Sequence, residues 1–145
     1  MKKIRQVFAF VLMCMLLLTS CGHQPTWQEQ YDLGVHYLSE GNYEEAIIAF
    51  TAAIEIDPKR AEAYVGRGDA YVGAGETEEN LAAAQADYEK AIELDKLLAE
   101  AYLGLSDVYA LLEDYKKAID VLDLVLEITN NQEYLNQIEE MKEVY

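Results

Sequence analysis

QYDLGVHYLSEGNYEEAIIAFTAAIEIDP, residues 30–58, reads as two amphipathic helices folded back on each other. Leu33, Gly34 and Tyr37 fall on one face of the first helix, at the i, i+1, i+4 spacing of a single apolar stripe. Ala46, Phe50 and Ala53 do the same for the second, at i, i+4, i+7. Between them Glu40-Gly41-Asn42 supplies residues that tolerate a helix end and a tight reversal. At the far end Asp57 is placed to cap the next helix, with Pro58 in its first turn, where a missing N–H costs nothing.

The pattern recurs. A second copy gives Tyr64, Arg67, Gly68 and Tyr71, then Ala84, Tyr88 and Ala91; a third gives Tyr102, Leu105, Ser106 and Tyr109, then Ala118, Leu122 and Val125. Gly34 to Gly68 is 34 residues and Gly68 to Ser106 is 38. These residues resemble the tetratricopeptide repeat, in which L-G-x2-Y and then A-x3-F recur with a closing proline on a period of about 34 residues. The resemblance covers Trp27 to about Gln132 and is specific because several positions return together. It implies an all-α fold, a right-handed α-solenoid of three helix-turn-helix repeats (27–60, 61–98 and 99–132) closed by a capping helix over 133–145.

Within that frame the first repeat has helices near 27–40 and 43–56, and the second repeat's first helix ends near Gly73-Ala74-Gly75. The longer second period places its extra residues in Glu76-Thr77-Glu78-Glu79-Asn80, a solvated loop or an added turn on the helix expected over Leu81–Leu94. Lys96 stands where the junction usually has proline, which predicts a softer boundary there than at Pro58. Tyr134, Leu135, Ile138, Met141 and Tyr145 mark one face of the final helix. Small residues at 34, 68 and 106, and at 46, 84 and 118, fall where one helix crosses its partner; a larger side chain there overpacks the crossing at a cost of about 1–3 kcal/mol. The tyrosines and Phe50 are read as core filling on either side.

Met1 to Cys21, MKKIRQVFAFVLMCMLLLTSC, has a different character. Lys2, Lys3 and Arg5 precede the apolar run Val7–Leu18 and the small residues Thr19 and Ser20, the anatomy of a secretory signal peptide over residues 1–20. The run is shorter than the roughly 18–20 residues of a permanent spanning helix, so cleavage is favoured over a retained anchor. Leu18-Thr19-Ser20-Cys21 resembles the bacterial lipobox. That resemblance implies cleavage before Cys21 and acyl chains on its thiol, with the short linker 21–26 holding the repeats close to the lipid; the alternative is an ordinary secreted chain. Gly22 in place of Asp after the cysteine favours an outer-membrane or cell-surface location, depending on the envelope.

Without residues 1–20 the chain keeps 8 Lys and Arg (11 less Lys2, Lys3 and Arg5) against 27 Asp and Glu, a net charge of −19. So acidic a surface repels phosphate backbones and releases no counterions from nucleic acid. Cys14 and Cys21 both lie outside the repeats, and His23 and His36 are the only histidines, so no zinc constellation assembles and no cofactor is expected. There is no phosphate-binding glycine loop, no H-E-x-x-H and no Ser–His pairing, and the acidic pairs Glu44-Glu45, Glu78-Glu79 and Glu139-Glu140 read as solvated faces. An enzyme is not expected.

In tetratricopeptide folds the first helix of each pair lines a concave surface that binds peptides or partner helices. Carried over by position, that groove presents Gln28, Tyr31, Val35 and Leu38 from the first repeat, Glu62, Val65, Asp69 and Val72 from the second, and Glu100, Leu103, Asp107 and Leu111 from the third. The family's chaperone-binding members grip a C-terminal carboxylate there with Lys, Arg and Asn. The matching places hold Tyr31, Val35, Val65, Asp69, Leu103 and Asp107, so binding of an Hsp70 or Hsp90 tail is argued against. The expected partner is an apolar or basic segment of another envelope protein, with no small-molecule substrate. The chain then serves as an adaptor or, alternatively, as a structural subunit of an envelope secretion or biogenesis assembly.

Overall fold

The computed structural model describes residues 24–129 together with Glu139 and Glu143. Six helices follow in order: α1 Trp27–Ser39, α2 Tyr43–Ile56, α3 Ala61–Ala74, α4 Glu78–Leu94, α5 Ala99–Leu111 and α6 Tyr115–Thr129. The described residues contain no strand. Each helix packs on the next, α1 also touches α3, and α3 touches α5. No such contact joins α2 to α4 or α4 to α6, so the solenoid curves with the odd-numbered helices on its inner side. The signal segment, Cys21 and the expected capping helix lie outside the described residues, apart from Glu139 and Glu143, which have helical backbone and exposed side chains.

The even helices carry the core. Ala46, Phe50 and Ala53 of α2, Ala84, Tyr88 and Ala91 of α4, and Ala118, Leu122 and Val125 of α6 are all buried at the same i, i+4, i+7 spacing. The small residues of the odd helices face them. A Cβ built on Gly34 would lie 2.7 Å from Phe50 Cδ1, and one on Gly68 would lie 2.9 Å from Tyr88 Cε1. Ser106, the third member, is buried and its hydroxyl donates to the Ala118 carbonyl at 3.1 Å, so its one polar atom is satisfied by the facing helix.

Each ring meets a second glycine that the repeat motif does not flag. Gly66 comes from the far side of Phe50, where a Cβ would sit 2.5 Å from Cε1, and Gly104 from the far side of Tyr88, at 2.3 Å. Phe50 is thus held between Gly34 and Gly66, and Tyr88 between Gly68 and Gly104. The two rings lock the first and second repeats each to itself and to the next one.

Thr26 caps α1 in a capping box with Glu29, and Thr77 caps α4 by accepting from the Asn80 N–H at 3.2 Å. The extra residues of the second repeat therefore become the first turn of α4, which starts at Glu78 rather than Leu81. Asp57 does not cap the following helix. It closes α2, and its Oδ1 accepts from the Lys59 N–H at 3.2 Å, while α3 starts only after Arg60, so Pro58 lies in the turn before the helix. Asp95 repeats the device by accepting from the Leu97 N–H at 2.9 Å. Tyr64 donates to the Pro58 carbonyl and Tyr102 to the Lys96 carbonyl, both at 3.2 Å. The junction at Lys96 thus repeats these two side-chain bonds of the one at Pro58. Leu33, expected on the core face, is instead 38% exposed. The inner stripe of α1 is Gly34 flanked by Tyr31, Tyr37 and Leu38. The equivalent Arg67 and Leu105 pack on the preceding repeat, and among the described residues no helix precedes α1 to cover Leu33.

Candidate functional site

The inner faces of α1, α3 and α5 enclose two adjoining depressions. The first, of about 260 Å³, is lined by Tyr31, Val35 and Leu38 of α1, Phe50 of α2, Glu62, Val65, Gly66 and Asp69 of α3, and Leu98 and Glu100 at the start of α5. The second, of about 310 Å³, is lined by Asp69 and Val72 of α3, Tyr88 of α4, and Glu100, Leu103, Gly104 and Asp107 of α5. Asp69 and Glu100 belong to both and mark the boundary between them.

Ten of the twelve groove positions expected from the sequence line these depressions: Tyr31, Val35, Leu38, Glu62, Val65, Asp69, Val72, Glu100, Leu103 and Asp107. Gln28 and Leu111 do not. Gln28 is spent within its own helix, its amide donating to Asp32 Oδ1 at 2.7 Å, and Leu111 ends α5 beyond the lined region. Phe50, Gly66, Leu98, Tyr88 and Gly104 line the groove without having been expected there. The signal for Gly66 and Gly104 was present in their equivalent places two residues before Gly68 and Ser106.

Aromatic contacts shape the first depression. Tyr31 meets Phe50 edge to face, with centroids 5.7 Å apart, and stacks on Trp27 at 4.7 Å. The Arg60 guanidinium lies 4.2 Å from the Trp27 ring centroid and covers the outer end of this stack. Burial, reinforced by the charge on Glu62, raises the Tyr31 phenol above its ordinary pKa, so it stays neutral and polar at its tip only.

The second depression is polar at its base. Tyr88 Oη donates to Asp69 Oδ1 at 2.7 Å. Burial and the charge of Asp69 push the Tyr88 pKa far upward, so this hydroxyl is a permanent donor. Asp69 and Asp107 reach solvent at the open mouth yet are hemmed by the surrounding helices. Burial holds both carboxyls above the usual carboxylate range; at Asp69 the Tyr88 bond works against that shift and the charge of Asp107 adds to it. No Lys or Arg lines either depression.

Behind the second depression α3 is stapled to α4 by a bidentate ion pair. Arg67 Nε donates to Asp87 Oδ2 and Nη2 to Asp87 Oδ1, both at 2.7 Å, and Nη1 reaches Thr51 Oγ1 of α2 at 3.1 Å. Asp87 is almost fully buried and is balanced by this arginine. Among the described residues the carboxylates of the groove have no such counter-ion. Among the described residues no group of three His, Cys, Asp or Glu side chains is placed to hold a metal, and no helix is long and apolar enough to cross a membrane.

Three nested helix pairs, the first two locked by a ring between glycines, match two family descriptions: TPR repeat over residues 34–75 and tetratricopeptide repeat over residues 77–133. The chain is built of tetratricopeptide repeats. Repeats of this family are typically non-enzymatic interaction modules. Among solved tetratricopeptide structures, the Arabidopsis OM64 TPR domain is 20% identical, with a TM-score of 0.75 over 83% of this chain and 97% of that one. The first TPR of Spaghetti (RPAP3), bound to the HSP90 peptide SRMEEVD, is 24% identical, with a TM-score of 0.74 over 82% of this chain and 92% of its own. The TPR2B domain of yeast Sti1 in its pHsp70 complex is 24% identical, with a TM-score of 0.71 over 79% and 91% of the two chains. Identities this low establish a shared fold. Comparison with curated proteins gives no match.

Proposed function

We propose that this tetratricopeptide chain is an adaptor that captures a peptide or helix of a partner protein in its concave groove while tethered to a bacterial membrane through lipid on Cys21. The observation that carries the reading is the groove itself. Two open depressions of about 260 and 310 Å³ lie side by side on the inner helices, each sized for one or two side chains rather than for an enclosed small molecule. Solved relatives of the same fold are bound to chaperone-derived peptides, among them SRMEEVD. The present groove favours other sequences. Glu62, Asp69, Glu100 and Asp107 line it, so an acidic tail is repelled. The tether reading draws support from the lipobox-like Leu18-Thr19-Ser20-Cys21 and from the entry of the chain at the N-terminal end of α1.

The test is site-specific photocrosslinking in intact cells. A photoreactive residue at Val35, Val65 or Leu103 is expected to capture one common partner, and the same residue at the exposed positions Ile48 and Leu124 is expected to miss it. Capture only from the outer positions contradicts the groove reading. Cys21→Ala is expected to move the protein from the detergent phase to the aqueous phase; wild type already in the aqueous phase contradicts the tether.

A further inference from the structure

The two depressions differ by one atom at their base. The same position of successive repeats holds Phe50 under the first and Tyr88 under the second. Over Phe50 the apolar walls are Tyr31, Val35, Leu38 and Val65, and Glu62, Asp69 and Glu100 also line this depression. Over Tyr88 the hydroxyl is committed to Asp69 Oδ1, and Asp107 stands opposite with no hydrogen-bonding or ionic partner among the described residues. The nearest arginine on α3, Arg67, is consumed by Asp87 and Thr51 behind the groove.

Two carboxylates confined together without a cation repel each other, and water at the mouth screens them only in part. A guanidinium or ammonium group entering between them relieves that repulsion and gains charge-assisted hydrogen bonds. An aliphatic or aromatic side chain entering the first depression removes apolar surface from water on both partners. We infer that the groove sorts its partner by pocket, taking an apolar side chain between Tyr31, Val35 and Val65 and a lysine or arginine side chain between Asp69 and Asp107. The occupant is therefore a basic amphipathic segment. This assignment rests on the groove reading above.

The test uses the full chain in neutral-lipid nanodiscs, with empty nanodiscs as the blank. The probes are fluorescein-labelled peptides of Leu with Lys, Leu with Glu, and Ser with Lys. Anisotropy reports binding, and emission from Trp27, the single tryptophan of the chain, reports occupancy through its stacking on Tyr31. The Leu–Lys peptide is expected to bind at least about tenfold more tightly than either of the others. Asp69→Asn with Asp107→Asn is expected to weaken it about tenfold and flatten its salt dependence. Glu44→Gln with Glu45→Gln, an acidic pair on α2 away from the groove, is expected to leave it unchanged.

Equal binding of the Leu–Glu and Leu–Lys peptides overturns the pocket assignment and leaves the groove reading standing. So does equal weakening by the two neutralising pairs, which would reduce the effect to net charge. If Val35→Lys, at an exposed groove position, leaves all three peptides unaffected, the groove reading fails with it. Retained helical circular dichroism in each variant separates these outcomes from unfolding.

Discussion

Phe50 and Tyr88 occupy the same place in successive repeats, and each ring is held between two glycines, yet the halves of the groove above them differ at their base. The first half has an apolar floor and apolar walls at Tyr31, Val35 and Val65, with Glu62, Asp69 and Glu100 also lining it. The second has a hydroxyl at its base bonded to Asp69, and an ion pair between Arg67 and Asp87 behind it. At the positions matching Arg67 and Asp87 the first repeat has Leu33 and Ala49, and the third has Leu105 and Val121. A repeat fold thus keeps its geometry through small residues and rings, and changes its chemistry at the few positions that geometry leaves open.

That division can be broken most severely at the ion pair. Arg67→Leu leaves Asp87 buried without a cation and is expected to cost about 3 kcal/mol or more in urea unfolding. Arg67→Leu with Asp87→Val, the pair that the third repeat uses, is expected to recover most of that loss. If the single variant unfolds like wild type, the staple has no structural role.

The glycines come next. Gly→Ala inside a helix ordinarily gains up to about 1 kcal/mol. At Gly66 and Gly104 the new methyl would collide with Phe50 and Tyr88, and a loss of about 1–3 kcal/mol is expected instead. The larger loss is expected at Gly104, where the approach is 2.3 Å against 2.5 Å at Gly66. A gain at either site contradicts the clamped-ring account.

The carboxylates at the base of the second half predict a pH effect. Asp69 and Asp107 bind protons more readily folded than unfolded, so their contribution to stability rises as pH falls through their raised folded values toward the usual 3.8. Asp69→Asn with Asp107→Asn should therefore melt above wild type at neutral pH, with the gap narrowing toward that pH. Exposed Asp114, held below the usual range by Lys117, works in the other direction and is present in both proteins. A gap that does not change with pH would sink this reading.

The smallest effect is expected at the turns. Gly41 (φ 76°) between α1 and α2 has its counterpart in Glu113 (φ 60°) between α5 and α6, and both turns close with the same pair of backbone bonds. Glu113→Gly should stabilise by about 0.5–1 kcal/mol, because only the non-glycine residue pays for the left-handed conformation. Thermal denaturation resolves a shift of that size.

The helix pairs were legible in the sequence because their apolar spacing and small residues return together at Gly34, Gly68 and Ser106. Most of the groove lining was legible for the same reason, since position in the repeat dictates face. What escaped depended on contacts between repeats. Gly66 and Gly104 matter only when the next helix is laid against the ring, and Arg67 and Asp87 are twenty positions apart. The repeat pattern places Tyr88 in the core, where its ring lies, while its hydroxyl extends through to the inner face. Asp57 closes a turn onto its own backbone, and such an aspartate looks the same in sequence as one that starts a helix. Leu33 shows that an apolar residue in a helical stripe stays exposed where no preceding repeat, among the described residues, lies against it.

The account depends most on the inner face being where the partner sits. Amide chemical-shift mapping of the isotopically labelled chain, titrated with the Leu–Lys peptide, tests this directly. The predicted result is a continuous set of shifts over Tyr31, Val35, Val65, Asp69, Leu103 and Asp107, with the outer faces of α2, α4 and α6 unmoved. Shifts confined to those outer faces would contradict it.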